Sequence, residues 1–259
     1  MHKQLTGIWH NDFQSKMELL AIENRIIGRY SSHTGSKGVY QLVGHCSGEA
    51  PTQTMGQSVA LSIYWKNIAE GEKDESWHWA GSMVGQLQHD GKLTLTNVIV
   101  VSVPFGSYQK GNFVDKLIFN KSSADVDLES VMSDLPEECS IEERPVIGKW
   151  VSLDQRQLLD IYHVKGASGS TSAWLVRGDS EVMLTGFIDV DAEPGMAQSL
   201  SLSGYESDEQ SAFSLSGMLE SGKDTMTLNS WHAEQTSPQD SFMQTRMEST
   251  TFRRLNIEK

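Results

Sequence analysis

Short segments rich in Val, Ile, Thr, Tyr and Trp recur along the whole chain and are separated by Gly, Ser, Asp and Asn. Clear examples are SVALSIYW from residue 58, GKLTLTNVIVVSV from residue 91 and SLSLSGY from residue 199. β-Branched and aromatic residues favour strands, and the intervening small polar residues favour turns. Because helical periodicity is almost absent, strands at this short spacing predict an all-β protein built as an antiparallel barrel or sandwich.

An acidic stretch without aromatic residues divides the chain. We interpret residues 122–145 as a linker that could include a short helix from Asp127 to Met132. It separates a block at residues 1–121 from a block of similar size at residues 146–259. At 259 residues, the chain is long enough for two domains with a core each.

The two blocks share landmarks in the same order, and the offset between them drifts by only a few residues. The matches are Gly7-Ile8-Trp9 with Gly148-Lys149-Trp150, Leu42-Val43-Gly44 with Leu184-Thr185-Gly186, and Phe119 with Phe252. Hairpin loops of different length produce such a drift. The pattern therefore predicts an internal duplication of one all-β unit.

Charge and cysteine content restrict the partners and the compartment. A net charge of −13 disfavours nucleic acid and anionic membrane surfaces as partners, because both favour clustered Lys and Arg. No segment approaches the roughly 20 apolar residues of a transmembrane helix. The N-terminus has no signal-peptide pattern, so the compartment stays open: secreted or periplasmic if a signal peptide has been removed, and otherwise cytoplasmic. Cys46 and Cys139 are too few and too far apart to predict a disulfide framework or a zinc site.

Polar side chains keep step with a tryptophan near the N-terminus. Asn11 and Ser15 each follow Trp9 by an even number of residues, so a regular strand would place all three side chains on one face. We expect Trp9 and its counterpart Trp150 to lie in a core. An antiparallel barrel of about eight strands can close around one small ligand, and polar groups that face its interior need partners.

Four ordered motifs, LTGIWHNDFQS, GRYSSHTGS, IYWKN and WHWAGSMV, resemble successive strands of the avidin and streptavidin family of biotin-binding barrels. The resemblance spans nearly all of residues 5–119. Together with the duplication, it implies two tandem eight-stranded antiparallel up-and-down β-barrels, joined by the acidic linker.

The resemblance also implies a biotin site in the first barrel. Asn11, Ser15 and Tyr30 match the donors to the ureido oxygen, and Ser32 matches a hydroxyl that accepts one ureido N–H. The loop with Thr34, Gly35 and Ser36 matches the segment that closes over the ligand and meets its carboxylate. Trp65 and Trp79 match two aromatic walls.

The match is incomplete at several positions. Val98 and Ile99 stand near one expected Trp, and Tyr108 stands near another. The acceptor for the second ureido N–H should lie two residues before Phe119, where Leu117 stands, and Asp115 fits only if the register slips by two. In the second block, we align Ser152, Arg156, Tyr205 and Leu215 with Asn11, Ser15, Trp65 and Trp79, which predicts a retained fold without a biotin site.

No nucleophile with a paired base stands out, so we expect a binding protein and not an enzyme. The first hypothesis is a biotin-binding pseudo-dimer in one chain, without cofactor or metal, that could associate further into a homo-oligomer. A second is an avidin-like interaction module that has lost biotin binding and recognises another small ligand or a protein. An enzyme in a lipocalin-like barrel is a third. DVDAEPG from Asp189 resembles a calcium loop but lacks the closing Glu, and we interpret it as a turn.

Overall fold

The computed structural model describes residues 4–32, 37–69, 78–127, 131, 145–165, 168–234 and 244–255. The first eight strands in this part of the chain are β1 (Gly7–Asn11), β2 (Lys16–Ile22), β3 (Arg25–Ser32), β4 (Gly38–Cys46), β5 (Gln57–Tyr64), β6 (Ala80–Leu87), β7 (Lys92–Val101) and β8 (Gly111–Ser123). The second eight are β9 (Gly148–Ser152), β10 (Gln157–Lys165), β11 (Ser170–Arg177), β12 (Ser180–Ile188), β13 (Gln198–Glu206), β14 (Ser211–Leu219), β15 (Thr225–Glu234) and β16 (Gln244–Arg254).

The strands form two closed eight-stranded barrels, β1–β8 and β9–β16. Each strand pairs antiparallel with the next, and β1 with β8 and β9 with β16 close the two cylinders. The all-β prediction and the prediction of two tandem up-and-down barrels are therefore confirmed. Closure leaves no sheet edge exposed.

Alternation of side chains builds a separate core inside each barrel. Along β4, for example, Tyr40 and Leu42 are buried while Val39 and Gln41 are partly exposed. The interior of the first barrel includes Trp9 and Phe119, and that of the second includes Trp150 and Phe252. Trp9 and Trp150 are core residues, as expected.

The duplication extends to individual hydrogen bonds. Trp9 Nε1 donates to the carbonyl of Leu5, and Trp150 Nε1 donates to the carbonyl of Val146, both at 2.9 Å. A Cβ at Gly44 would lie 2.3 Å from a carbonyl oxygen of the next strand, and a Cβ at Gly186 would lie 2.0 Å from one. Both positions therefore require glycine for the same steric reason.

The two barrels pack side by side through β4–β7 and β12–β15. Strands β5 and β6 are buried at every position, because their outward faces, on which small residues such as Ser58 and Ala60 predominate, meet the second barrel. Ser58 Oγ accepts the backbone N–H of Ala212 at 2.9 Å, and the equivalent Ser199 Oγ accepts that of Ala80 at 3.0 Å. We call this contact the seam, and this pair of bonds gives it an approximate two-fold symmetry.

Four serine hydroxyls and a small apolar cluster occupy the middle of the seam. Ser82 Oγ lies 2.8 Å from Ser201 Oγ and 2.6 Å from Ser214 Oγ, and Ser201 donates to Ser62 at 2.9 Å. The apolar cluster comprises Ala60, Val84, Val98, Ala212, Trp231 and Ala233. Val98, which the resemblance places near a wall tryptophan, thus faces the partner barrel and not the interior.

Most of the predicted linker lies outside the described residues. Strand β8 runs to Ser123, two residues beyond the predicted end of the first block at 121. Val131 is buried, and its backbone N–H donates to the carbonyl of Asp127. Within the part of the chain that the structure describes, no helix has the length and apolar character needed to cross a bilayer.

Candidate functional site

Asn11 and Ser15 flank the tight turn between β1 and β2, and the turn fixes the orientation of the Asn11 amide. Asn11 Oδ1 accepts the backbone N–H of Phe13 at 3.1 Å and that of Ser15 at 2.9 Å. Gln14 takes a positive φ of 63° to complete the turn. An asparagine that caps its own turn in this way holds its side chain in one orientation.

The other end of that amide is buried beside the phenol of Tyr30. Asn11 is only 8% exposed, and its Nδ2 makes no hydrogen bond of standard geometry with a described residue. Because Oδ1 is already used by the two backbone donors, the free group is the NH₂, which donates. A buried unpaired donor costs about 1–3 kcal/mol, so this position favours a bound acceptor.

Tyr30 on β3 brings a phenol to the same place. Burial raises the pKa of Tyr30 above its usual value, and the charge of Asp115 adds to the rise, while the neighbouring Ser15 hydroxyl and, to a smaller extent, the Asn11 side chain oppose it. The phenol therefore remains protonated at neutral pH and can donate a hydrogen bond. Asn11, Ser15 and Tyr30, which were selected from spacing and resemblance, lie together in the structure.

Trp65 packs beside this group. The ring of Tyr30 meets that of Trp65 edge-on, with centroids 5.5 Å apart. The Nε1 of Trp65 is buried and has no partner among the described residues. A Cβ at Gly81 would lie 2.9 Å from that nitrogen, so glycine at 81 makes room for the indole.

Trp79 is fully buried and anchored. Its Nε1 donates to the carbonyl of Val103 at 2.9 Å, and Tyr108 meets its ring edge-on with a centroid separation of 5.6 Å. Trp65 and Trp79 are also joined through the backbone, because the N–H of Trp65 donates to the carbonyl of Trp79 at 2.7 Å. The two indoles are thus held together by the backbone pairing at the end of β5 and the start of β6.

Ser32 is buried at the end of β3, two residues beyond Tyr30 and on the same face of the strand. Thr34, Gly35 and Ser36 lie outside the described residues. The loop that the resemblance assigns to the ligand carboxylate therefore stays a prediction.

The register around Asp115 contains no slip. Asn11 pairs with Phe119, so buried Leu117 stands two residues before Phe119. Asp115 faces the same side of β8 but lies one step nearer the β7–β8 connection, where it is exposed. Its charge acts on Tyr30 from there.

Sequence reasoning missed Asn97. This residue pairs with Asp115 on β8 and Met83 on β6 and is 4% exposed, and its Oδ1 has no partner among the described residues. The signal was available, because inward positions on β7 read Leu93, Leu95, Asn97 and Ile99. A single polar residue in such an apolar series indicates a site.

Strand pairing corrects the alignment of the second block. The β9–β10 turn has one more residue between paired positions than the β1–β2 turn, so Ser15 corresponds to Gln157 and not to Arg156. On β13 and β14 the register places Glu206 at Trp65 and Ser211 at Trp79, instead of Tyr205 and Leu215. The equivalent of Tyr30 is Leu175.

The corresponding end of the second barrel is charged. Arg177 Nη1 lies 3.3 Å from Glu206 Oε1, and the guanidinium stands over the ring of Phe213, 5.0 Å from its centroid. His232 stacks on the same ring at 5.3 Å. In the described part of the chain, the candidate metal-ligating group is Glu206, Glu209 and His232, whose ligand atoms lie within 4.8 Å of one another.

A comparison with protein-family models finds a match to the first barrel. Residues 1–119 match the model described as the Avidin family. A search of the curated proteins gives no match to the chain. The match ends at Phe119, within the last strand of the first barrel.

Proposed function

Since the chain belongs to the avidin family through its first barrel, we propose that it binds biotin, or a ligand with the same cyclic urea group, at one site per chain. The family is one of binding proteins and not of enzymes. The proposed function needs no bond cleavage: the first barrel holds the ligand and the second supports it.

This proposal is carried by the buried Nδ2 of Asn11, which makes no hydrogen bond of standard geometry with a described residue and lies beside the hydroxyls of Ser15 and Tyr30. A ureido oxygen is a strong acceptor that can take all three hydrogen bonds. Three donors in a dry site favour its polarised form, and charge-assisted hydrogen bonds are stronger than neutral ones. Binding would also satisfy a donor that the free protein leaves unpaired.

The N–H groups of a cyclic urea need acceptors, and the barrel offers two candidates. Ser32 Oγ is one, as the resemblance implies. The second is the Oδ1 of Asn97, which is buried and has no described partner. Asn97 would accept the second ureido N–H, which the apolar side chain of Leu117 cannot do. Trp65 and Trp79 would then cover the apolar part of the ligand.

The second barrel is unsuited to the same ligand. Leu175 replaces the phenol, and Glu206, paired with Arg177, replaces an aromatic wall. An apolar ring system placed there would have to desolvate this ion pair, which is costly. We therefore assign to the second barrel the role of a permanently attached partner.

Calorimetric titration with biotin tests the proposal. We expect one site per chain in the wild type, and weaker binding in Asn11→Ala and Tyr30→Phe. Ser152→Ala is the matched control, because Ser152 occupies the position of Asn11 in the second barrel and should leave binding unchanged. No heat at millimolar biotin, or two sites per chain, would contradict the proposal as stated.

One observation favours the alternative of an avidin-like module with a different small ligand. The inward face of β7 carries Asn97 and Ile99 where a wall tryptophan is expected. The apolar wall around the ligand is therefore thinner than the resemblance to the avidin family implies. Titration with 2-imidazolidone, which is the urea ring alone, separates the cases. Binding of the ring with comparable affinity to biotin would favour a smaller urea-type ligand.

A further inference from the structure

A buried acidic turn of the second barrel meets the first barrel at one end of the seam. Asp189, between β12 and β13, is fully buried. Each of its carboxylate oxygens lies 2.9 Å from Nδ1 of His78, and Oδ1 lies 3.2 Å from the hydroxyl of Tyr64. Asp191 accepts from Tyr64 and from Lys66, at 2.9 and 2.8 Å.

The two residues that Asp189 holds stand next to the two aromatic walls of the candidate site. Tyr64 directly precedes Trp65, and His78 directly precedes Trp79. Because side chains alternate along a strand, Tyr64 and His78 point outward into the seam while the two indoles point inward. The backbone bond between Trp65 and Trp79 closes this arrangement into one unit.

Asp189 is itself fixed to the second barrel. Its backbone N–H donates to the carbonyl of Ser199, and its own carbonyl accepts from Gln198 Nε2 at 2.8 Å. The backbone N–H of Asp191 donates to Oδ1 of Asp189 at 3.0 Å. In return, the hydroxyl of Tyr64 accepts the N–H of Val190 at 3.2 Å. The carboxylate therefore presents a rigid acceptor to the first barrel.

The approximate symmetry of the seam is broken at this point. The residue equivalent to Asp189 is Ser47, as shown by the matching bonds from Gln57 Nε2 to the Ser47 carbonyl and from Gln198 Nε2 to the Asp189 carbonyl, both 2.8 Å. Ser47 has a shorter, uncharged side chain, and its Oγ accepts the backbone N–H of Ser58 at 3.0 Å within its own barrel. Among the described residues, the acidic clamp thus lies beside the first barrel's candidate site, and serine stands at the equivalent position beside the second barrel's charged end.

We propose that Asp189 is a positioning residue for the ligand pocket of the first barrel, which it serves by holding Tyr64 and His78 and, through them, Trp65 and Trp79. This inference rests on the proposed function, since it assigns the two indoles to the pocket. It makes the pocket dependent on both barrels although no side chain of the second barrel needs to touch the ligand.

The test compares Asp189→Ala and Asp189→Asn with wild type in biotin binding and dissociation rate. We expect at least a tenfold loss of affinity in Asp189→Ala, mainly through faster dissociation, and partial rescue in Asp189→Asn, which keeps one acceptor oxygen. Asp160→Asn removes an ion pair with Lys149 within the second barrel, away from the seam, and should change neither quantity. A lower melting temperature with unchanged affinity in Asp189→Ala would overturn the proposal.

A second readout separates failure of this inference from failure of the proposed function. In ligand-free protein, Asp189→Ala should alter the near-ultraviolet circular dichroism of tryptophan, and the change should disappear in a Trp65→Phe/Trp79→Phe background. If wild type does not bind biotin but this difference is found, the function fails and the clamp stands. If Asp189→Ala does not fold, Tyr64→Phe and His78→Gln remove its contacts singly from the other side. Unchanged dichroism and affinity in both would refute the clamp.

Discussion

Replacing Asn11 by alanine should separate stability from affinity. The substitution removes the two hydrogen bonds that Oδ1 accepts, which are worth about 1 kcal/mol each. It also removes the buried, unpartnered NH₂ group, whose desolvation costs about 1–3 kcal/mol. The two effects oppose each other, so we expect the free energy of unfolding of the ligand-free protein to stay within about 1 kcal/mol of wild type.

Affinity has no such compensation. The bound state loses a hydrogen bond to a polarised oxygen, worth about 1.5–3 kcal/mol, which corresponds to a rise in Kd of about 10- to 150-fold. Asn11→Asp should be at least as harmful to binding, because it keeps the acceptor of the turn but replaces the donor by a second acceptor.

Ser152→Ala provides the opposite pattern. Ser152 Oγ accepts the N–H of Gln157 at 2.9 Å and donates to Asp154 at 2.6 Å, so its loss should lower stability by about 1–2 kcal/mol without affecting biotin. The measurements are urea unfolding of the free protein and calorimetric titration. If Asn11→Ala instead destabilised the protein by more than about 3 kcal/mol and left the Kd unchanged, the amide would be a structural group and the reasoning would be refuted.

Three further predictions concern other buried groups. Asn97→Leu should raise the melting temperature, because it removes an unpaired buried oxygen, yet weaken biotin binding in the same preparation; a loss of stability with unchanged binding would argue against a ligand role. Burial, assisted by Arg25, lowers the pKa of His45 from 6.5 to about 4, so the unfolded state binds the extra proton between these values. Stability should therefore fall by about 3 kcal/mol as the pH drops from 6.5 to 4, and urea unfolding of His45→Gln should show a flatter curve in that window. Burial also raises the pKa of the Cys46 thiol to about 12, so in a Cys139→Ser background a thiol reagent at pH 8 should react only after denaturation, and rapid labelling of the native protein would contradict this.

Local patterns carried most of the fold. Alternating β-branched segments and turn residues predicted an all-β barrel or sandwich, and matched landmarks such as Trp9 and Trp150 predicted its duplication, because these features reflect backbone geometry and burial within one unit. The resemblance then implied that each unit is a closed eight-stranded barrel. The spacing of Asn11 and Ser15 predicted a shared face for the same reason, and the resemblance supplied their proposed role as ligand donors together with Tyr30. The shared order of landmarks correctly predicted the duplication, because antiparallel hairpins keep their order along the chain even when loops differ in length.

The sequence was weaker wherever the outcome depended on contacts between distant segments. Gln157 was missed by one residue because an inserted turn residue shifts the alignment without changing the strand pattern. The role of Asp189 was not visible in DVDAEPG, since nothing in that turn tells which outward face of the first barrel it meets. The small outward residues of β5, such as Ser58 and Ala60, were a usable sign that this face is covered.

Covalent linkage of the two barrels has an evolutionary consequence at the seam. In a dimer of identical chains, every substitution is made twice, so a carboxylate that helps one pocket must also be accommodated at its mirror position. Here aspartate stands at 189 and serine at 47, a difference that a dimer of identical subunits could not encode. On the proposed function, fusion of the copies would let one barrel specialise in holding a ligand while the other, without a pocket of its own, braces it.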